Sequence, residues 1–450
     1  MIHELKPYPE MKHSGVEWLE DVPETWKVLP NRALFDEVKE TNYPDEEMLS
    51  VTIKRGVIKQ SVLLDDSSKK DSSNLDKSKY KLLQPGDLAY NKMRAWQGAI
   101  GISEYRGIIS PAYVVQRSRV IGVSKYWHYL FRTPAFAKEA ERLSYGITSD
   151  MWSLRPEHFK LIKTCVPSHD EQDAIVKYLD YMDRRIKKLI VAKKKLIKLL
   201  EEQKQAIIHQ AVTKGLDPNV PMKDSGVEWL GKIPEPWTVT HFKRIAQVKG
   251  KLVDPKLEEQ RNKTLIAPNH IEKDGTARIL GLETADAQGA DSGKYEVIEG
   301  MIIYSKIRPY LRKAIIAPVD CLCSADMYPV AVIKDLAITY EYLLLEMLSL
   351  PFTQYTIECS LRAAMPKINR EALGEAPLWL PPLKEQAQII TFLDGASSAV
   401  DETVIRTKKE IRLLNEYRTR LISDVVTGKL DVREAAESLP DANTDGVDSQ

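Results

Sequence analysis

The sequence predicts an α+β chain written twice. Two tandem domains of mixed helix and strand are expected, separated by two long helices that pair as an antiparallel coiled coil under a pseudo-two-fold internal repeat. Three observations carry this reading. Met11-Lys-His-Ser-Gly-Val-Glu-Trp18-Leu reappears as Met222-Lys-Asp-Ser-Gly-Val-Glu-Trp229-Leu, and Trp26 and Trp237 follow at the same offset. The closing stretches recur too: Val166-Pro-Ser-His-Asp-Glu-Gln172 matches Leu380-Pro-Pro-Leu-Lys-Glu-Gln386, and Val212-Thr-Lys-Gly-Leu-Asp217 matches Val426-Thr-Gly-Lys-Leu-Asp431. Finally, each copy ends in a proline-free segment whose apolar residues recur at three- and four-residue steps.

The expected boundaries follow in chain order: a first domain over 1–168, a helix over 169–215, a second domain over 216–382, a helix over 383–430 and an acidic, disordered tail over 431–450. Within the first domain, the run Leu82 to Tyr90 is apolar, β-branched and punctuated by Pro85-Gly86, which reads as strand and turn. Val297 to Tyr304, with Gly300, reads the same way in the second. Tyr126 to Leu143 and Ile338 to Met347 show helical spacing. The tryptophan pairs Trp18/Trp229 and Trp26/Trp237 read as core anchors. Similarity between the copies is thin over 29–160. Two readers of different targets would produce that, and so would neutral drift of loop-rich segments.

The first helix carries a stripe at Ile175, Leu179, Ile186, Leu196, Leu200 and Ile207, interrupted by Lys193 and Gln203. The second repeats it at Ile389, Leu393, Val400, Ile411, Leu414 and Leu421. Each helix would run roughly 43 residues, on the order of 65 Å at about 1.5 Å per residue. A stripe of that length needs a partner of equal length, which the duplication supplies; two helices packed separately on their own domains is the alternative.

Composition narrows the function classes. With 43% hydrophobic and 29% charged residues the chain can build two or three ordinary cores. Lysine plus arginine at 65 against 64 acidic residues leaves a net charge of +1, so any anionic partner must meet a local patch. The four cysteines, Cys165, Cys321, Cys323 and Cys359, form no zinc-spaced pair and read as buried thiols of a reducing compartment. Pro7 and Pro9 stand where a leader would need its apolar core, so a cytoplasmic protein without a membrane span is expected.

Signatures of catalysis are missing. Gly226-Val-Glu-Trp-Leu-Gly231-Lys232-Ile233 nearly matches a phosphate loop, but Ile233 lacks the hydroxyl for magnesium and Pro234 follows where a helix should start. The eight histidines form no HxH or HExxH, and Glu202-Gln203-Lys204 reads as a solvated helix face rather than half a nuclease site. No catalytic residue and no metal ligand is assigned.

One constellation recurs. Leu88, Tyr90, Lys92, Arg94 and Trp96 alternate in the first copy, and Ile302, Tyr304, Lys306, Arg308 and Tyr310 in the second. On an extended strand, alternate residues share a face, and this face passes from apolar to basic and aromatic. Such a face fits duplex DNA, with cations on phosphates or guanine edges and aromatics bracing them; solvated side chains are the plain alternative. Thr148 and, in the second copy, Arg362 and Lys367 lie in polar loops after a helix and are weaker contact candidates.

The chain resembles the specificity subunit of type I restriction-modification systems. The resemblance rests on the MK-x-SGVEWL openings with Trp26 and Trp237, the P-x-x-x-EQ starts of each long helix (Pro167 to Asp180, Pro381 to Asp394) and the VTGKLD close at 426–431. It implies two target recognition domains, each reading one half of a split asymmetric DNA sequence, with the helices as spacer. It further implies two modification subunits docked centrally and restriction subunits in the full complex. No cofactor is expected in this chain; S-adenosylmethionine would sit in the modification subunits and ATP with magnesium in the restriction subunits. Lys92, Arg94, Lys306 and Arg308 remain a reading of the residues, not of the resemblance.

Overall fold

The computed structural model describes residues 5–65, 76–119, 124–146, 151–273, 275–333, 338–360 and 366–440. They pack into two compact units, one of residues 1–194 with 408–450, the other of 195–407.

The first unit is built on a four-stranded antiparallel sheet in the order Phe35–Val38, Tyr113–Ser118, Leu88–Asn91, Ile100–Ile102. Leu88–Tyr90 and Ile100–Ile102 are buried without a break because both faces of the sheet are covered there. Leu88, Tyr90 and Val114 enter the main core, while Ala89 and Val115 join Leu49, Val51 and Val57 of the hairpin Leu49–Thr52/Gly56–Lys59 on the other side. Pro85-Gly86 turns the chain into the central strand, with Gly86 at φ 91°. The helical run Tyr126 to Leu143 is two helices, Ser124–Leu130 and Pro134–Arg142. Pro134 has no N–H to continue the first, and the Thr133 hydroxyl accepts from Phe136 N at 3.2 Å to cap the second.

The second unit holds a four-stranded antiparallel sheet in the order Ala246–Val248, Met327–Val332, Ile302–Ser305, Ala314–Ile316. It adds a five-stranded sheet, Leu252–Val253, Lys294–Val297, Cys321–Cys323, Thr264–Ile266, Glu283–Thr284, with one parallel pair. Helix Tyr340–Met347 starts on a Thr339 cap and brings Glu346 into the core, fully buried. One Glu346 carboxylate oxygen accepts from Trp379 N at 2.5 Å; the other has no partner among the described residues. Burial pushes this carboxyl well above its ordinary value of 4.5, and the Trp379 N–H only partly offsets that.

A pH dependence follows. Above about 4.5 the unfolded chain releases the Glu346 proton while the folded chain keeps it, so stability falls as pH rises, by up to about 1.4 kcal/mol per unit. Glu346→Gln removes that dependence. Its stability relative to the parent is expected to be higher at pH 8 than at pH 5 in urea unfolding; an equal difference at both pH values would show that Glu346 ionises in the folded core.

Two long helices, His169–Lys214 (46 residues) and Leu383–Val426 (44 residues), begin on the recurring motif. The structure explains its residues. Glu171 accepts from Trp26 Nε1 at 3.0 Å and Gln172 donates to the Pro167 carbonyl at 3.1 Å. Glu385 accepts from Trp237 Nε1 at 3.0 Å and Gln386 donates to the Pro381 carbonyl at 3.0 Å. Each glutamate therefore ties its helix to the tryptophan that opens its domain. Ser168 and Glu171 also form a reciprocal capping box, for which Pro382 leaves no equivalent in the second helix.

Inside the first unit, Ile175, Leu179 and Met182 share a core with Leu421, Val425 and Val426, and Ile186 is also buried. Arg418 pairs with Asp183, and Lys193 Nζ donates to Glu410 at 2.5 Å. Inside the second, Ile389 and Leu393 share a core with Ala211 and Val212, and Lys204 Nζ reaches both Asp401 oxygens at 2.9 Å.

Three expectations need correction. Leu196 is 43% exposed. The covered face of the first helix runs instead through Ile186, Ile190, Lys193, Ile197, Leu200, Lys204, Ile207 and Ala211, so the two lysines belong to the seam and meet carboxylates there. Leu200, Ile207, Val400, Ile411 and Leu414 are half-buried. The tail is ordered at its start: helix Arg433–Glu437 buries Ala435 and Ala436, Asp431 N bonds Lys6 O at 2.8 Å, and Arg433 stands 5.0 Å over the Tyr8 ring. Residues 441–450 lie outside the described residues. Cys359 is exposed, whereas Cys165, Cys321 and Cys323 are buried.

Candidate nucleic-acid interface

The shared extended face does not exist, because both strands stop short of the cations. The first ends at Asn91, whose side-chain oxygen accepts from Met93 N at 3.0 Å and turns the chain into the short helix Ala95–Gln97. The second ends at Ser305, whose hydroxyl donates to the Ile307 carbonyl at 3.0 Å ahead of the short helix Pro309–Leu311. Tyr90 and Tyr304 are therefore core residues, not surface ones. Tyr90 is fully buried and stacks on Phe159 at 5.2 Å, and Tyr304 packs against Phe352 at 6.2 Å. Burial pushes the Tyr304 hydroxyl up to about 12.

The cations themselves lie at the surface ends of these turns. In the first unit Arg94 is exposed and Lys92 half-buried. The Lys92 carbonyl accepts from Leu154 N at 2.9 Å, which pins the segment that carries Trp152. Trp96 then meets Trp152 edge-on at 5.5 Å, its own Nε1 donating to Met93 O at 3.0 Å. Trp96 is half-buried, a brace for the turn with one edge open.

In the second unit the same backbone bond recurs: Ile368 N donates to Lys306 O at 2.9 Å, and Ile307 pairs with Lys367 as a β-bridge. Lys306, Arg308 and Lys367 are thus brought together from distant parts of the chain. Arg308 is exposed and held at φ 49°, with its N–H on Pro366 O at 2.8 Å, and Tyr310 is 51% exposed. Such a backbone costs roughly 1 kcal/mol or more for a residue other than glycine, and persists where surrounding bonds impose it.

Sequence reasoning missed three neighbours. Arg370 lies 5.7 Å from the ring centres of both Tyr295 and Tyr328 and donates to the Tyr295 hydroxyl at 3.2 Å, while Lys306 stands 5.4 Å over Tyr328. Tyrosines that hold a cation by its π-face leave its charge unneutralised. Among the described residues none of Lys92, Arg94, Lys306, Arg308, Lys367 and Arg370 forms an ion pair, in contrast to Arg117, Arg119 and Arg142, each paired with a carboxylate. Thr148 and Arg362 lie outside the described residues. Also among the described residues, no group of His, Cys, Asp or Glu could hold a metal ion, and no helix is long and apolar enough to cross a membrane.

Residues 234–413 match the family described as the type I restriction modification DNA specificity domain. That stretch of the chain is similar to this family. The chain is also similar to the type I restriction enzyme EcoDI specificity subunit of Escherichia coli, 30% identical over 292 residues that cover 62% of this chain. The aligned part spans just under two thirds, 64%, of that relative's length. Among solved structures, a chain from a study of complex assembly and conformational transition of the type I R-M system matches 91% of this chain and 99% of its own length, with TM-score 0.66 and 13% identity. The HsdS subunit of Thermoanaerobacter tengcongensis matches over 91% and 98%, with TM-score 0.52 and 14% identity. These likenesses show that the chain, with its mixed α/β units and long helices, shares its fold with these two chains.

Proposed function

We propose that this chain is the non-catalytic DNA-reading subunit of a type I restriction-modification complex. Residues 1–168 and 216–382 act as recognition domains, each reading one half of a split, asymmetric duplex target, and the helices act as an antiparallel coiled-coil spacer that sets the gap. Two modification subunits and the restriction subunits would supply S-adenosylmethionine and ATP chemistry; this chain would supply the address. The observation that carries the reading is the pair of unneutralised cation clusters, Lys92/Arg94 and Lys306/Arg308/Lys367/Arg370, each beyond the end of a central sheet strand. Cations left without carboxylates suit phosphate oxygens and guanine edges.

The matching strand orders and the twice-used Trp–Glu tie support the duplication. The pairs Asp183–Arg418, Lys193–Glu410 and Lys204–Asp401 support antiparallel pairing, since the residue number rises along one helix as it falls along the other. Binding to duplex DNA should weaken steeply with salt, as displaced counterions require, while keeping a sequence preference at each salt concentration. Fluorescence anisotropy on duplexes selected from a random pool tests this. Salt-independent association, or steep salt dependence with no preferred sequence, would refute a specificity role.

A further inference from the structure

The first unit encloses a cavity of about 760 Å³ between the turn after Leu49–Thr52, helix Ser124–Leu130 and its own parts of the two long helices. None of the recognition cations described above lines it. Its charge is lopsided. Lys54, Arg55, Lys125, Arg184, Lys187 and Arg418, together with Arg132, face three carboxylates, Glu104, Asp180 and Asp183.

Those carboxylates are already shared. Asp183 is held by Arg418 and by Lys187 at 2.6 Å, and Asp180 by Lys125 at 2.9 Å and the Tyr129 hydroxyl at 2.5 Å. Arg132 is turned to the protein, donating to the carbonyls of Ile100 at 2.8 Å, Gly98 at 3.2 Å and Ile53 at 2.9 Å. It fixes the turn that carries Lys54 and Arg55. Burial, helped by Arg418, pulls the Arg132 guanidinium down to about 10. Burial and then the charges of Arg132 and Lys125 pull His128 down to about 4, so the ring is neutral at pH 7 and adds no cation.

We propose that this cavity is a binding site for a multiply charged phosphate group. Like charges gathered in one hollow repel, and an anion of two or more charges relieves that repulsion. Arginine forks engage phosphate oxygens in pairs, which favours phosphate over a single carboxylate. The volume falls in the usual range for small-ligand sites, so a free phosphate ester up to nucleotide size fits; a backbone phosphate of DNA at its mouth would present the same chemistry.

The test is calorimetric titration of the full chain with inorganic tripolyphosphate at about 150 mM salt, the ionic strength at which weak surface attraction is screened. One saturable site is expected, weakened at least tenfold in the double variant Lys54→Glu, Arg184→Glu and unchanged in Lys194→Glu, Lys195→Glu on the exposed helix face. Both side chains reversed in the first variant are exposed, and Lys54→Gln, Arg184→Gln repeats the test without introduced acids. Absent binding, or equal binding in all variants, overturns the proposal. A second arm separates the sources: displacement of tripolyphosphate by duplex DNA assigns the site to the DNA backbone, and simultaneous binding of both assigns it to a free ligand. Neither arm depends on sequence-specific reading, so failure here leaves that function standing.

Discussion

Replacing Lys306 and Arg308 together by alanine is expected to lower affinity for the preferred duplex by roughly 100- to 1000-fold. Each such contact is worth about 1–3 kcal/mol, and both side chains lack a carboxylate partner among the described residues. The loss should be confined to one half of the target. Duplexes altered in the half read by the second domain should lose their penalty in the variant, while those altered in the other half keep theirs. Lys92→Ala with Arg94→Ala should produce the mirror result. Folding should be little affected, by about 0.5 kcal/mol or less, since Arg308 is exposed and Lys306 half-buried on Tyr328. A uniform loss across all sequences would show that these cations grip phosphates without reading bases.

Adding seven residues to each long helix, between Leu200 and Lys204 in the first and between Val400 and Val404 in the second, should lengthen the gap between half-sites without changing either half. Seven residues add about 10 Å of helix, on the order of three base pairs. A whole heptad is required. The covered face repeats with spacing 186, 190, 193, 197, 200, 204, 207, so four residues alone would put the covered face on one side of the insertion out of phase with that on the other. Selection of bound duplexes from a random pool reads both gap and halves. New half-sites with the old gap would separate the helices from spacing.

What the residues revealed before folding, and what they hid, follows from range. The long helices and the recurring ends were legible because both signals are local: a period and a copied string. The seam's phase was not. Apolar residues come in adjacent pairs, Leu189-Ile190, Leu196-Ile197 and Leu199-Leu200, so period alone fits two phases equally. The structure selects the phase that places Lys193 and Lys204 inward, because each lysine finds a carboxylate on the facing helix within its own unit. A pattern read as apolar or not could only count Lys193 as an interruption and passed over Lys204.

The candidate site was half legible for a similar reason. The repeated basic and aromatic residues do lie in turns that recur in both units, but alternation suggested a strand where Asn91 and Ser305 bend the chain with their own side chains. That error put Tyr90 and Tyr304 at a surface they never reach. Arg370, Tyr295 and Tyr328 were invisible because 75 residues separate Tyr295 from Arg370, and the three come from two different sheets and a helix that only the fold brings together. The Trp–Glu ties were present in the string as a recurring tryptophan and a recurring Glu-Gln, yet nothing short of the fold connects positions that lie 145 and 148 residues apart.

The central claim is that one chain carries two readers at a set separation. Mapping adenine methylation across the genome of cells that carry the partner subunits, with and without this gene, tests it most directly. The account predicts one gene-dependent motif made of two defined halves around a gap of fixed length and free sequence. A gene-dependent motif that is continuous, or methylation unchanged by the gene's removal, would contradict it.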